Sequence, residues 1–237
     1  MYEKKIEKIA LLGAMPQEIL AYKNKIDADG CWNGKKVDVG ETGVGKPAAA
    51  ATTALASDKY DLLIFTGVAG ALDSDLKIGD IGIVAHAIDA DLDVRIWGAT
   101  QETPYLRGEV PFTRDRVFRS DDYLVEKALE APIDSKVFQA YVASGSAFVD
   151  VESKAKFNKY VSPDLEAEIN GVTKRPDLYD METSAVLQIA NKYKTPVLVI
   201  RAVSDTTSGD APKDFNEFVE GAVEQYVGIV EHLLKEL

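Results

Sequence analysis

Apolar residues fall along this chain in two alternating rhythms. Short runs dense in Ile, Leu and Val occupy 9–13, 37–40, 62–66, 81–85, 139–144 and 197–203. Runs of that length, bounded by glycine and polar residues, predict strands. Between them lie stretches with a 3.6-residue recurrence, which predict helices over 16–26, 47–56, 121–129, 153–160, 180–193 and 215–234. The last is the clearest, because Phe215, Phe218, Val219, Ala222, Val223, Tyr226, Val227 and Val230 form one stripe. Strand–helix alternation predicts an α/β fold with helices on both faces of a mostly parallel sheet. Neither a repeat nor a linker interrupts the pattern, so one domain over 1–237 is expected. Two segments, 89–119 and 162–178, carry charge, Gly and Pro without periodicity and read as long loops, a frequent place for function.

Composition narrows the function classes. With 237 residues, 46% of them hydrophobic, the chain can bury one sizeable core. Its net charge is -12 and its sequence holds no Lys/Arg cluster, so nucleic-acid binding is disfavoured. Cys31 is the single cysteine, which forbids an internal disulfide and fits a reducing, cytoplasmic setting. The two histidines, His86 and His232, are far apart, so no zinc site of His and Cys is expected. The short apolar run after the basic start reads as a first strand rather than a leader. No apolar run approaches the roughly 20 residues that span a membrane.

Several predicted strands end on small residues and glycine: "LLGA", "ETGVG", "FTGVAG" and "VASGS". Each alone is compatible with ordinary turn chemistry. Together they suggest one cleft, since ligands of open α/β sheets sit beyond the carboxyl ends of strands. "GVGKP" lacks the spacing and the Ser/Thr of a triphosphate-binding loop, which excludes that reading.

Candidate chemistry rests on acids in awkward places. Glu18 follows the first strand and turn, and read alone it also fits a solvated glutamate at a helix start. Asp180 reads as an N-cap for the helix over 180–193. Glu182 would then share the buried face with Ala185, Val186 and Ile189, unless it merely complements the helix dipole. Arg201 and Asp205 flank the end of the last strand. Four apart, they would project on one face and could serve as each other's counter-ion.

The segments "IALLGAMPQEI", "ETGVGKPAAA", "TGVAGALDSDLKIGDIGIV", "VASGSAFV", "DMETSAVLQIA" and "VIRAVSD" followed by "DFNEF" cover most of the chain. In that order they resemble the 5′-methylthioadenosine/S-adenosylhomocysteine nucleosidases of the purine/uridine phosphorylase superfamily. The resemblance implies a three-layer α/β/α fold with a mixed central sheet, nucleoside phosphorylase-like, and usually a homodimer. It implies hydrolysis of the bond between adenine and a 5′-thio-substituted ribose, with neither metal nor organic cofactor. Glu18 is then the water-activating base, Asp205 the acid at purine N7, Ser204 its orienting partner and Arg201 the cation near the water. Met181 and Glu182 become the ribose-binding pair. Met15, Val68, Ala69 and Gly70 fall in the substrate pocket, Phe148 stacks on the base and the backbone of Val149 bonds its edge. Phe215 lines the ribose or alkylthio pocket, and Val94 and Trp97 reach across the dimer interface. The chain departs from the family pattern at Val68, Ser146 and Asp180, where serine, aspartate and glutamate are usual.

These roles make chemical sense. Adenine leaves poorly as an anion, so protonation accompanies cleavage, and partial burial helps a carboxyl keep a proton near neutral pH. Carboxylates around the sugar stabilise an oxocarbenium-like ribose, with acid and base on opposite sides as in inverting glycosidases. The alternatives are a phosphate-dependent phosphorylase, a hydrolase of another purine nucleoside and a non-catalytic nucleoside-binding protein. Phosphate calls for arginines or exposed N–H groups. The first turn, "GAMPQE", offers an acid instead, which favours water.

Overall fold

Residues 5–98, 103–208 and 215–237 are described in a computed structural model, without the side chains of 98, 215–217 and 220. Elements follow in the order β1 (Lys8–Gly13), α1 (Pro16–Lys23), β2 (Cys31–Trp32), β3 (Lys35–Glu41), α2 (Lys46–Ser57), β4 (Leu62–Ala71), β5 (Ile81–Asp89) and α3 (Arg95–Gly98). Then come β6 (Phe118–Arg119), α4 (Asp122–Leu129), β7 (Val137–Ser144), α5 (Val151–Tyr160), β8 (Ala167–Ile169), β9 (Val172–Lys174), β10 (Leu178–Asp180), α6 (Thr183–Tyr193), β11 (Val197–Asp205) and α7 (Phe215–Glu236).

The period of two in the strands builds three layers. On β1, Ile9 and Leu11 join a core with Ile19 and Tyr22 of α1, Leu124 of α4 and the Val223–Tyr226–Val230 stripe of α7. Ala10 and Leu12 point the other way, into a core with Ala49 of α2 and Val186, Leu187 and Ala190 of α6. Both faces of the central strands are covered, which is why they read as continuous apolar runs. A third cluster, including Tyr141, Phe157, Leu165 and Tyr179, lies under α5 and the β8–β9 hairpin.

The sheet of the described residues has nine strands and is mixed, with the long pairings parallel and the antiparallel ones short. β1 runs parallel to β3 and β4, and β4 to β11, but β5 is antiparallel to β11. β10 closes the arrangement, parallel to β7 on one side and antiparallel to the end of β4 on the other. β10, β7, β5, β11 and β4 thereby form a ring of strands.

Several expected boundaries move. The strand expected over 62–66 continues to Ala71, carrying Gly67 and Gly70 inside it rather than in a terminal turn. The segment 162–178 is not simply a loop: it holds a 3₁₀ turn at Ser162–Leu165 and the β8–β9 hairpin. The hairpin turns on Asn170 and Gly171, both with positive φ (52° and 77°), as the Asn-Gly pair of a tight turn favours. The helix expected over 180–193 begins only at Thr183, and the one over 16–26 ends at Lys23. No described helix is long and apolar enough to cross a membrane.

Candidate active site

The carboxyl ends of β1, β4, β7, β10 and β11 open on a cavity of about 640 Å³, a size suited to a small organic ligand. Three of the four glycine-containing strand ends contribute to it, through Ala14, Val44 and Val68–Gly70, and Ala147 follows directly on the fourth. Glu18, Glu182 and Asp205, distant in sequence, meet on its wall.

Glu18 reaches the cavity because the chain reverses sharply between β1 and α1, where Pro16 opens the helix. The reversal depends on Gly13, whose Cβ would lie 2.7 Å from Ile19 Cγ2. The Glu18 carboxylate is buried. Oε2 accepts from the N–H groups of Ala14 (2.7 Å) and Met15 (3.0 Å), and Oε1 from Val68 N–H at 3.3 Å. Burial nevertheless pushes its carboxyl above the usual glutamate value, against the pull of Arg201 and of these backbone N–H groups. Such a group is a fair proton acceptor, with lone-pair capacity left for a water.

Arg201 lies beneath the acids and is 1% exposed. Its Nε donates to Asp180 Oδ2 at 2.8 Å and to Thr183 Oγ1 at 3.1 Å, its Nη2 stands 3.8 Å from Glu182 Oε2, and its guanidinium carbon lies 4.4 Å from the Phe65 ring centroid. A Cβ at residue 67 would run into Arg201 Nη1 and come within 2.7 Å of Glu18 Oε1, so the strand must carry glycine there.

Asp180 is not the helix N-cap. It ends β10, where it accepts from Ser144 Oγ (2.6 Å) and from the Thr183 side chain, and it still takes the N–H groups of Glu182 (3.3 Å) and Thr183 (3.2 Å). Glu182 itself occupies the position before α6. Its burial therefore comes from the cavity wall and not from the helical face shared by Val186, Leu187 and Ala190. Glu182 Oε1 accepts from Gly45 N–H at 2.8 Å. Burial, reinforced by the charge of Asp180, pushes its carboxyl up to about 7, although Arg201 and the Gly45 N–H oppose this.

Arg201 and Asp205 are not each other's counter-ion. A bulge between Val203 and Asp205 disturbs the alternation of β11, so the two side chains part. Asp205 Oδ2 accepts from Ser204 Oγ at 2.7 Å, while Oδ1 pairs with Lys154 of α5, a residue the sequence reading did not single out. The signal for it was spacing: on α5 only Lys154 and Phe157 are buried, three apart on one face, and a lysine there needs a partner.

Met15, Val68, Ala69, Gly70, Val149, Met181 and Ser204 line the cavity together with the acids. Phe148 stands at the rim, 81% exposed, leaving its ring free to meet a flat base. Val94 and Trp97 do not line it; Trp97 stacks on Tyr105, with centroids 5.6 Å apart. The Phe215 side chain lies outside the described residues. Tyr179 belongs to the wall as well; in the sequence it falls between the loop expected over 162–178 and the helix expected over 180–193. Among the described residues no group of three or more His, Cys, Asp or Glu is placed to hold a metal ion.

An α/β/α sandwich with acids gathered at the strand ends defines a class of enzyme, and the family comparison agrees. The chain belongs to the phosphorylase superfamily, whose model matches residues 8–235. Within it, the chain is 31% identical over 246 residues to a 5′-methylthioadenosine/S-adenosylhomocysteine nucleosidase of Staphylococcus haemolyticus, covering 97% of this chain and 100% of the relative. The crystal structure of such a nucleosidase from Neisseria meningitidis, in complex with methylthio-immucillin-A, superposes with a TM-score of 0.79 at 29% identity, covering 98% and 100% of the two chains. One from Colwellia psychrerythraea, in complex with adenine, gives 0.81 at 26% identity over 98% and 96%.

Proposed function

We propose that this chain is a purine nucleosidase that hydrolyses 5′-methylthioadenosine and S-adenosylhomocysteine to adenine and a 5′-thio-ribose. The observation that carries the reading is the placement of Glu18 and Asp205 on one cavity whose described lining holds no lysine or arginine side chain. Water can be activated there, whereas an incoming phosphate would meet the carboxyl groups first, with Arg201 and Lys154 buried behind them and engaged by them.

In this mechanism Glu18 accepts a proton from water as the water oxygen bonds to C1′ of the ribose. The bond from C1′ to purine N9 breaks, its electrons stay on the purine, and Asp205 delivers a proton to N7. Ser204 orients Asp205. Glu182 accepts from the ribose hydroxyls beside Met181, and its charge stabilises the oxocarbenium-like sugar. Arg201 holds the acids in register from below. Phe148 covers the base, the Val149 backbone bonds its edge, and Met15 and Val68–Gly70 complete the pocket.

Incubation with methylthioadenosine, S-adenosylhomocysteine, adenosine and inosine, with and without phosphate, tests this. Free thio-ribose from the first two without phosphate is expected. A strict phosphate requirement would make the chain a phosphorylase, and no base release would make it a binding protein.

The same reading includes a homodimer. Ile96, Trp97, Leu106 and Phe112 expose apolar side chains near Val94, and a second copy covering them would bring that segment to the neighbouring cavity. Light scattering should return twice the 25.8 kDa chain mass, and a monomer would remove this part of the proposal.

A further inference from the structure

A buried cation stands behind the leaving-group acid. The Lys154 side chain is 1% exposed, and its Nζ pairs with Asp205 Oδ1. The same Nζ lies 3.4 Å from the carbonyl oxygens of Asp205 and Thr206, so the ammonium is surrounded by acceptors from the end of β11. Gly70 on β4 leaves it room, since a Cβ there would lie 2.8 Å from Nζ and 3.0 Å from Asp205 Oδ1. Asp205 lines the cavity and Lys154 does not, so the ammonium meets the carboxylate from the protein side. Fastening α5 to β11 does not by itself explain the pair. Buried ion pairs are often no more stabilising than an apolar pair of similar size, and Phe157 already anchors α5 in the third core.

We propose that Lys154 is a positioning residue for the hydrolysis: it aims the Asp205 carboxyl at the purine and steadies the carboxylate left once the proton has gone. The proposal rests on the reading of Asp205 as the acid at N7. As the C1′–N9 bond breaks and the proton passes from Asp205 to N7, a carboxylate is left behind, and the adjacent ammonium stabilises it. The other titratable side chains on this cavity are Glu18 from α1, Asp150 ahead of α5, Tyr179 and Asp180 from β10, and Glu182 before α6, with Arg201 beneath them. β4 contributes only Gly70 at this point.

Lys154→Met removes the positive charge and keeps the chain length. The kcat should fall about tenfold from loss of aim, while KM for methylthioadenosine stays within about twofold because Lys154 touches no part of the cavity. Lys154→Gln, which keeps a donor but not the charge, should show the same loss of kcat at unchanged KM, and Lys154→Arg should restore most of the native kcat. Melting temperatures identify the variants that are folded. A native kcat in a folded Met or Gln variant, or a fall in kcat that Lys154→Arg does not rescue, overturns the proposal. Asp205→Asn separates the two claims: near-native activity there would sink the assignment of the acid, whereas inactivity there beside native kcat in the Lys154 variants would sink the role of the lysine alone.

Discussion

Glu18→Gln should lower kcat for methylthioadenosine by roughly 10²–10⁴-fold, the contribution of a positioned general base, while the protein stays folded. The amide oxygen can still accept from the Ala14 and Met15 N–H groups, which hold Oε2 at 2.7 and 3.0 Å, so the reversal between β1 and α1 survives. What is lost is the second oxygen and its capacity for a proton. That position would carry an NH₂ facing the Val68 N–H, now 3.3 Å from Oε1, and a donor facing a donor gains nothing. The variant also sheds a carboxyl whose ionisation burial disfavours, so its melting temperature should remain close to that of the parent. In the parent the pH profile should carry the same signature. A base works only when ionised, so kcat/KM should fall as pH drops through a value above the ordinary glutamate 4.5, because Glu18 is raised above it. Glu182, pushed up to about 7, titrates on the same limb and loses an acceptor for the ribose as it gains a proton. Activity of the Gln variant within tenfold of the parent, or a parental acid limb at or below 4.5, would remove Glu18 as the base.

The parts legible in the sequence are those in which side-chain period and packing agree. β1, β5, β11 and α7 follow from apolar spacing, because their environment is uniform along their length. The misjudged parts have boundaries set by partners elsewhere in the chain. β4 runs past Thr66 because Gly67 and Gly70 are not turns: each leaves the space that a charged side chain of another element occupies, Arg201 and Glu18 at one, Lys154 and Asp205 at the other. β10 is three residues long and carries no period; it exists because β7 and the end of β4 offer it hydrogen bonds on both sides. The β8–β9 turn has a local signal in Asn170–Gly171, set in a segment whose lack of periodicity reads as loop.

For the site, the acids could be named one at a time but not joined, since spacing left Glu18, Glu182 and Asp205 each with an ordinary explanation. The resemblance linked them, and the strand ends bring them to one wall. Ion partners were the least legible feature. Adjacency in sequence suggested Arg201 with Asp205, but a one-residue bulge redistributes the charges to Arg201 with Asp180 and Glu182, and Asp205 with Lys154.

Arg201→Met should be the most damaging substitution for the fold. The guanidinium is buried with three carboxyl groups drawing on its charge, those of Asp180, Glu182 and Glu18. Methionine fills much of the volume against Phe65 but leaves Asp180 Oδ2 without its 2.8 Å donor. Removing one partner of a buried pair costs about 3–5 kcal/mol. In a chain of 237 residues that corresponds to a melting temperature about 10 °C lower. The deficit should depend on pH with a definite sign. Arg201 lowers both Glu18 and Glu182, so without it both carboxyls rise further above their unfolded values. A raised carboxyl favours the fold below its unfolded value, and that contribution is lost as pH climbs through the folded one. For Glu182 the parental window runs from 4.5 to about 7, and the variant extends it upward. Calorimetry should therefore find the gap between variant and parent smallest near pH 5 and widest near pH 8. Arg201→Lys restores a charge but not the planar fork that reaches Asp180 and Thr183 at once, so it should recover only part of the gap. A gap independent of pH would mean that Arg201 serves by filling space above Phe65 rather than by balancing the acids, and the electrostatic basis of the site would have to be abandoned.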